Sequence, residues 1–175
     1  MDIKSTIRTI PNWPKQGIMF RDITTLLKDQ KAFSYVVDKF YERYKNESID
    51  LIAGIESRGF IIGGALANKL RKGFIPIRKV GKLPSETEKE EYELEYGSAI
   101  IEIHKDAIEK GAKILLVDDL IATAGTLVAA INLIEKLGGR IVECAVIIEL
   151  PDLRGREKIE KKSHKLFSLV DFEGE

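Results

Sequence analysis

The sequence predicts an α/β fold, a parallel twisted sheet flanked by helices on both faces. Three observations lead there. Short apolar runs of strand type alternate with segments of helical period, the pattern of strands linked by crossover helices. The run at 114–117 is continuously apolar and that at 141–150 nearly so, as buried strands are. Loops made of small or charged residues follow the strands, which in such a sheet gathers them at the carboxyl ends where ligands bind. The length of 175 residues suits one domain with a single core, read as residues 1–175.

The elements follow in order. The N-terminal segment, with Pro11 and Pro14 on either side of Trp13, does not fit the alternation. Phe33, Val36, Val37, Phe40, Tyr41 and Tyr44 mark an amphipathic helix. A strand from Asp50 to Ile55 runs into the loop Glu56-Ser57-Arg58-Gly59, and a helix rich in small residues continues to Leu70. Phe74–Ile77 is a second strand, weakened by Pro76. Arg78, Lys79 and Lys82 then cluster around Gly81, and Leu83-Pro84 stiffens the exit. The polar, acidic stretch Ser85–Glu91 reads as a mobile loop able to act as a lid. Tyr92–Tyr96 and Ala99–Ile103 flank Gly97-Ser98 as a hairpin beside the sheet. Ile114–Val117 is the third strand, and the helix after it shows Leu127, Ala130, Ile131, Ile134 and Leu137 on one face before Gly138-Gly139 ends it. Ile141–Leu150 and Leu166–Val170 complete the set.

Composition narrows the function classes. Hydrophobic residues make up 44%, enough for a packed core. Lys+Arg and Asp+Glu both number 28, so the net charge of zero argues against nucleic-acid binding by bulk positive charge. The single Cys144 lies in an apolar run and reads as a small core residue. No apolar run approaches a membrane span, and the first residues lack the apolar core of a signal peptide, so the expected setting is cytoplasmic with no membrane partner. His104 and His164 have no metal-ligand spacing.

The most informative stretch is I-L-L-V-D-D-L-I-A-T-A-G-T at 114–126. Strand, adjacent carboxylates Asp118 and Asp119, the small loop Ala122-Thr123-Ala124-Gly125-Thr126 and a helix start together suit a phosphorylated sugar. The N–H groups at a helix N-terminus are unpaired and the dipole there is positive, which favours a phosphate. Thr123 and Thr126 add hydroxyl donors, and the aspartates can accept hydrogen bonds from sugar hydroxyls. A Walker loop needs a lysine that is missing between Lys113 and Lys136, and the dinucleotide fingerprint G-x-G-x-x-G is absent here. Other residues carry two readings. Arg58 suits a diphosphate but also an ordinary helix start. Arg78, Lys79 and Lys82 suit the same anion or a solvated basic loop. Glu95, alternating with Leu94 and Tyr96, is equally an outward residue of a hairpin.

The 114–126 string resembles the phosphoribosyl-diphosphate-binding motif of type I phosphoribosyltransferases. P-N-W-P-K-Q-G-I-M-F-R-D-I-T at 11–24, G-I-E-S-R-G-F at 54–60, I-R-K-V-G-K-L-P at 77–84, Y-E-L-E-Y-G at 92–97 and E-I-H-K-D-A at 102–107 extend the resemblance over nearly the whole chain and point to the adenine-specific branch. The resemblance implies a type I phosphoribosyltransferase fold with a small N-terminal hood, about residues 1–28, and an inserted β-hairpin lid. It implies purine salvage, the transfer of phosphoribose from 5-phosphoribosyl-1-diphosphate to adenine, giving AMP and diphosphate, with Mg2+ bound mainly through the substrate and no direct protein metal site. By the same resemblance Ala122–Thr126 hold the 5′-phosphate, Asp118 and Asp119 the ribose, and Arg58, Arg78, Lys79 and Lys82 the diphosphate. Met19, Phe20 and Arg21 then meet adenine, Glu95 is the acid/base group, and the enzyme is a homodimer. Ala124 departs from the family's usual glycine, and the acidic 85–91 stretch departs from its usual lid. Two rivals stand beside this reading: another nucleobase as acceptor, and a non-catalytic phosphoribosyl-diphosphate sensor. The second needs a DNA-binding module or basic face for which this chain offers no sign.

Overall fold

A computed structural model describes residues 1–94 and 97–174. The chain opens with two antiparallel strands, β1 (Arg8–Pro11) and β2 (Met19–Asp22), followed by a short helix α1 (Thr24–Lys28). Asp22 ties this segment together, accepting from Arg8 Nε at 3.0 Å and from the Thr24 N–H at 2.8 Å. Trp13, half exposed, rests edge-on against Phe20 of β2 with ring centroids 4.4 Å apart. Helix α2 (Gln30–Tyr44) starts where the Asp29 carboxylate accepts the N–H groups of Lys31 and Ala32 at 2.8 and 3.1 Å, a side-chain N-cap. Its buried stripe is Ala32, Val36, Val37, Phe40 and Tyr44, the spacing of one helical face.

The rest alternates. Strand β3 (Leu51–Ile55) leads to α3 (Arg58–Leu70) and β4 (Gly73–Lys79). A hairpin of β5 (Thr87–Leu94) and β6 (Gly97–His104) follows, then β7 (Lys113–Ile121), α4 (Gly125–Lys136), β8 (Arg140–Glu149), α5 (Gly155–Lys161) and β9 (Leu166–Asp171). The seven-stranded sheet has the order β5-β6-β4-β3-β7-β8-β9. Five strands from β4 to β9 are parallel, as expected. The hairpin adds an antiparallel edge, β6 pairing with β4 and β5 with β6, because a tight turn joins only antiparallel neighbours.

Side-chain alternation along the strands divides the interior into two cores. On β7, Ile114 and Leu116 face Leu127, Ile131 and Ile134 of α4 and Ile159 of α5. Leu115 and Val117 face the opposite side, with Phe40 of α2 and Ile62 and Leu66 of α3. Ile3, Ile7, Ile23 and Leu26 join this second core, so the N-terminal segment is rooted in it.

The structure corrects three boundaries. The apolar run at 114–117 is only the first half of β7, which extends through both aspartates to Ile121. Main-chain pairing does not require apolar side chains, and Asp118, Leu120 and Ile121 pair with Val146, Ile148 and Glu149 of β8. Arg78 and Lys79 likewise sit at the end of β4, not after it. The acidic stretch expected to be a mobile loop is mostly strand. Thr87 to Glu91 pair with His104 to Ile100, and Glu90 is held against α4 by Asn132 Nδ2 and Lys136 Nζ, each at 2.7 Å. The hairpin itself is as expected, although pairing reaches Leu94–Gly97, so Gly97 and Ser98 belong to β6.

Near the amino end of β8, remote from the carboxyl ends of the parallel strands, Glu143 is buried. It accepts from Arg43 through Nε and Nη2 at 2.7 and 2.8 Å and from the Tyr44 hydroxyl at 2.6 Å. Burial opposes its ionisation, but Arg43 and Tyr44 outweigh that and hold the carboxyl below its ordinary range. Glu143→Ala leaves these donors unpaired and is expected to cost roughly 3 kcal/mol of stability, read by urea denaturation. Any activity per folded molecule should be unchanged, since the residue lies far from the cleft described next.

Candidate active site

The carboxyl ends of β3, β4 and β7 converge on a cleft of about 430 Å3. It is lined by the loop after β3 (Glu56, Ser57, Arg58), by Lys79, by Tyr92–Leu94 of the hairpin, and by the continuous stretch Asp118–Leu127. Asp119 is 5% exposed and forms an ion pair with Arg58 through Nε. The backbone N–H of Asp119 donates to Asp118 Oδ1 at 2.8 Å, which fixes the Asp118 carboxylate against the main chain of its neighbour. Removal from water and the adjacent Asp119 charge push the Asp118 carboxyl well above its ordinary range, with Arg58 opposing.

The close contact between α3 and β7 depends on Gly59. A Cβ there would lie 2.9 Å from the Val117 carbonyl oxygen and 3.0 Å from Asp118 Oδ1. The glycine is needed for helix-to-strand packing. It is also what lets Arg58, the first residue of α3, reach Asp119.

The loop Ala122–Thr126 enters α4 through Ala124, whose φ of 67° is left-handed. A non-glycine residue there costs about 1 kcal/mol. Among the described residues no side chain caps α4, and its first turn, whose N–H groups have no intrahelical partner, lines the cleft. A residue the sequence did not flag supports this loop from behind. Gly155, the buried first residue of α5, sits where a Cβ would lie 2.2 Å from the Ala122 carbonyl oxygen. Its only sequence signal was a glycine after a charged turn, which carries no information about a neighbour 33 positions away.

The cationic candidates separate. Lys79 lines the cleft, while Arg78 and Lys82 do not. Arg78 is engaged by Glu56, from Nε at 3.1 Å and from Nη2 at 3.2 Å, and donates to the Lys82 carbonyl at 3.3 Å. Arg78 first, against the opposing effect of burial, holds the Glu56 carboxyl below its ordinary range. Met19, Phe20 and Arg21 also lie outside the lining. Phe20 borders it through Arg58, whose guanidinium is 5.7 Å from the ring centroid. Arg21 donates to Thr9 Oγ1 at 2.7 Å and lies 4.4 Å over the Phe172 ring, so its guanidinium braces the N-terminal segment. Glu95 lies outside the described residues; its neighbours Glu93 and Leu94 line the cleft. Among the described residues no group of three or more His, Cys, Asp or Glu side chains could hold a metal ion.

Comparison with known proteins agrees with this geometry. The phosphoribosyl transferase domain family matches residues 22–174. The chain is 58% identical to an adenine phosphoribosyltransferase of Desulfosudis oleivorans over 175 residues, covering 100% of both. The crystal structure of adenine phosphoribosyltransferase from Thermoanaerobacter pseudethanolicus superposes with a TM-score of 0.94 at 47% identity, covering 98% of each chain. That of Saccharomyces cerevisiae, solved with an imino-altritol bisphosphate and adenine, gives 0.90 at 40% identity over 97% of each chain. The chain belongs to the type I phosphoribosyltransferase family, among the adenine phosphoribosyltransferases.

Proposed function

We propose that the cleft transfers phosphoribose from 5-phosphoribosyl-1-diphosphate to adenine, releasing AMP and diphosphate. The observation that carries this is the juxtaposition of a hydroxyl-accepting carboxylate pair with an uncapped helix N-terminus on one continuous segment, Asp118–Thr126. A phosphorylated ribose presents those two chemistries a few ångströms apart. In the reaction adenine N9 attacks ribose C1 as the C1–O bond to diphosphate breaks, and the N9 proton must leave.

In this reading the N–H groups of Ala122–Thr126 and the hydroxyls of Thr123 and Thr126 hold the 5′-phosphate. Asp118 and Asp119 accept from the ribose hydroxyls. Arg58 pairs with Asp119 in the structure, and an arriving diphosphate competes for its guanidinium, releasing Asp119 to the sugar. Lys79, with Arg78 and Lys82, offsets the charge of the leaving diphosphate. Met19, Phe20 and Arg21 serve adenine from the N-terminal hood, and Glu95 takes up the purine proton.

Mg2+ belongs to the same proposal. Two carboxylates are too few for a protein-only site, which suits an ion held mainly by the oxygens of the substrate. When bound with the diphosphate it supplies positive charge to the leaving group. We further place the chain in the cytoplasm as a homodimer, with no nucleic-acid or membrane partner. The dimer is supported by Lys82 lying outside its own cleft and by the 42% exposure of Val80 beside it. No described helix is long and apolar enough to cross a membrane.

The decisive assay supplies purified protein, whose mass is taken by light scattering, with phosphoribosyl diphosphate, Mg2+ and each nucleobase in turn. A dimer that turns over adenine in clear preference to hypoxanthine and guanine is expected; equal rates would reject the adenine assignment, and a fully active monomer the dimer. Asp119→Ala should lower kcat/KM about 10- to 100-fold through lost ribose hydrogen bonds, with a smaller change in melting temperature, because loss of the Arg58 pair is offset by relief of the repulsion with Asp118. A large fall in melting temperature with unchanged activity per folded molecule would make the residue structural. Glu95→Gln should reduce kcat by roughly 10²-fold or more while the Kd of phosphoribosyl diphosphate stays nearly constant, measured by single-turnover kinetics and calorimetry. Undiminished kcat removes Glu95 from the mechanism.

A further inference from the structure

Lys82 and its neighbours reach the reaction only if the turn carrying them keeps its shape, and the structure shows what fixes that shape. Glu102, on β6, is 2% exposed and, among the described residues, has no partner of opposite charge at hydrogen-bond distance. Its Oε1 accepts the backbone N–H groups of both Lys82 and Leu83 at 3.0 Å. Its Oε2 accepts from the Thr87 hydroxyl at 3.1 Å, at the start of β5. The far side of the same peptide is also held, since the Lys82 carbonyl accepts from Arg78, which Glu56 grips in turn. Glu56 also accepts the Lys79 N–H at 3.1 Å.

Two carboxylates thus frame the cationic segment from opposite sides. Glu56 fastens its first residues to the loop after β3, and Glu102 fastens its last residues to the hairpin. A charge buried without a counter-charge is costly, and it is kept where a set of hydrogen-bond donors is aimed at its oxygens. Here those donors are successive backbone N–H groups of a tight turn, with Gly81 at φ 83° leading into it. Burial works against ionisation of Glu102, yet the N–H groups of Leu83 and Lys82 together with Thr87 keep its carboxyl below the ordinary range.

From this geometry we infer that Glu102 is a positioning residue for diphosphate recognition, acting through the backbone of Lys82 and Leu83 and touching no substrate. The inference rests on the phosphoribosyl-diphosphate reading of the cleft. It predicts that the lysine side chain is delivered at the correct angle only while its own N–H is pinned.

Hydrogen exchange and steady-state kinetics test it on the full-length protein. In Glu102→Ala the amides of Lys82 and Leu83 should lose protection while those of β7 and β8 keep theirs. The KM for phosphoribosyl diphosphate should rise about tenfold, as for loss of a pair of charge-assisted hydrogen bonds, with the KM for adenine within about twofold of the original. Glu102→Gln retains an acceptor for the two N–H groups and should recover most of the lost affinity. If the alanine variant does not fold, Glu102→Asp, which withdraws the acceptor by one methylene, carries the same expectation. Unchanged exchange at Lys82 and Leu83, an equal rise in both KM values, or a glutamine variant no better than alanine would overturn the inference. If the unmodified protein turns over no adenine, the functional reading fails, while the exchange result still decides whether Glu102 holds the turn.

Discussion

Two carboxylates side by side near the end of a strand cannot both be left fully charged and poorly hydrated, and the cleft is organised around that constraint. Asp118 and Asp119 share the problem: one titrates high, the other is paired with Arg58. Arg58 can do this only because α3 packs tightly on β7 at Gly59. The order of the sheet places the loop after β3 directly beside β7. Fold and electrostatics are therefore linked through one helix start. The cleft holds Arg58 and Asp119 as an internal pair, which in the proposed reading an arriving diphosphate exchanges for its own.

The same principle extends to the cations. Basic residues crowded near a cleft repel one another, and long side chains lose entropy when fixed. The protein limits both costs by seating the main chain and one guanidinium on carboxylates. Glu56 and Glu102 keep the segment in place, while Lys79 and Lys82 stay exposed. Recognition then needs only the last few bonds of each lysine to be ordered.

How much of this was legible in the sequence follows from the range of each interaction. Local patterns were readable: the apolar period of α2, the Gly138-Gly139 stop after α4, and the segment 114–126 as strand, acidic pair and helix start. The ends of β7 and β4 were not, because a strand is continued by its neighbour's backbone, and Val146 or Ile148 leaves no mark on Asp118 or Leu120. The acidic 85–91 stretch was misread for a related reason. Its charges suggested solvent, but Glu90 is satisfied by Asn132 and Lys136 from 42 and 46 positions away. Glu102 hid in plain view inside E-I-H-K-D-A, since a buried carboxylate and an exposed one are the same letter. Arg21 shows the converse: its motif was recognised, but only coordinates reveal that its guanidinium lies over Phe172.

Gly155 gives the architecture a bearing on mutational tolerance. It lies on a different helix from the phosphate loop, yet its missing side chain is the space that the Ala122 carbonyl occupies. Any larger residue there must displace either α5 or the loop, and overpacking of this kind is not relieved by a local rotamer change. The site's boundary in sequence is therefore wider than its boundary in space. A survey of neutral drift in this chain would find position 155 closed to substitution with the stringency of a residue lining the cleft, although Gly155 is not part of that lining.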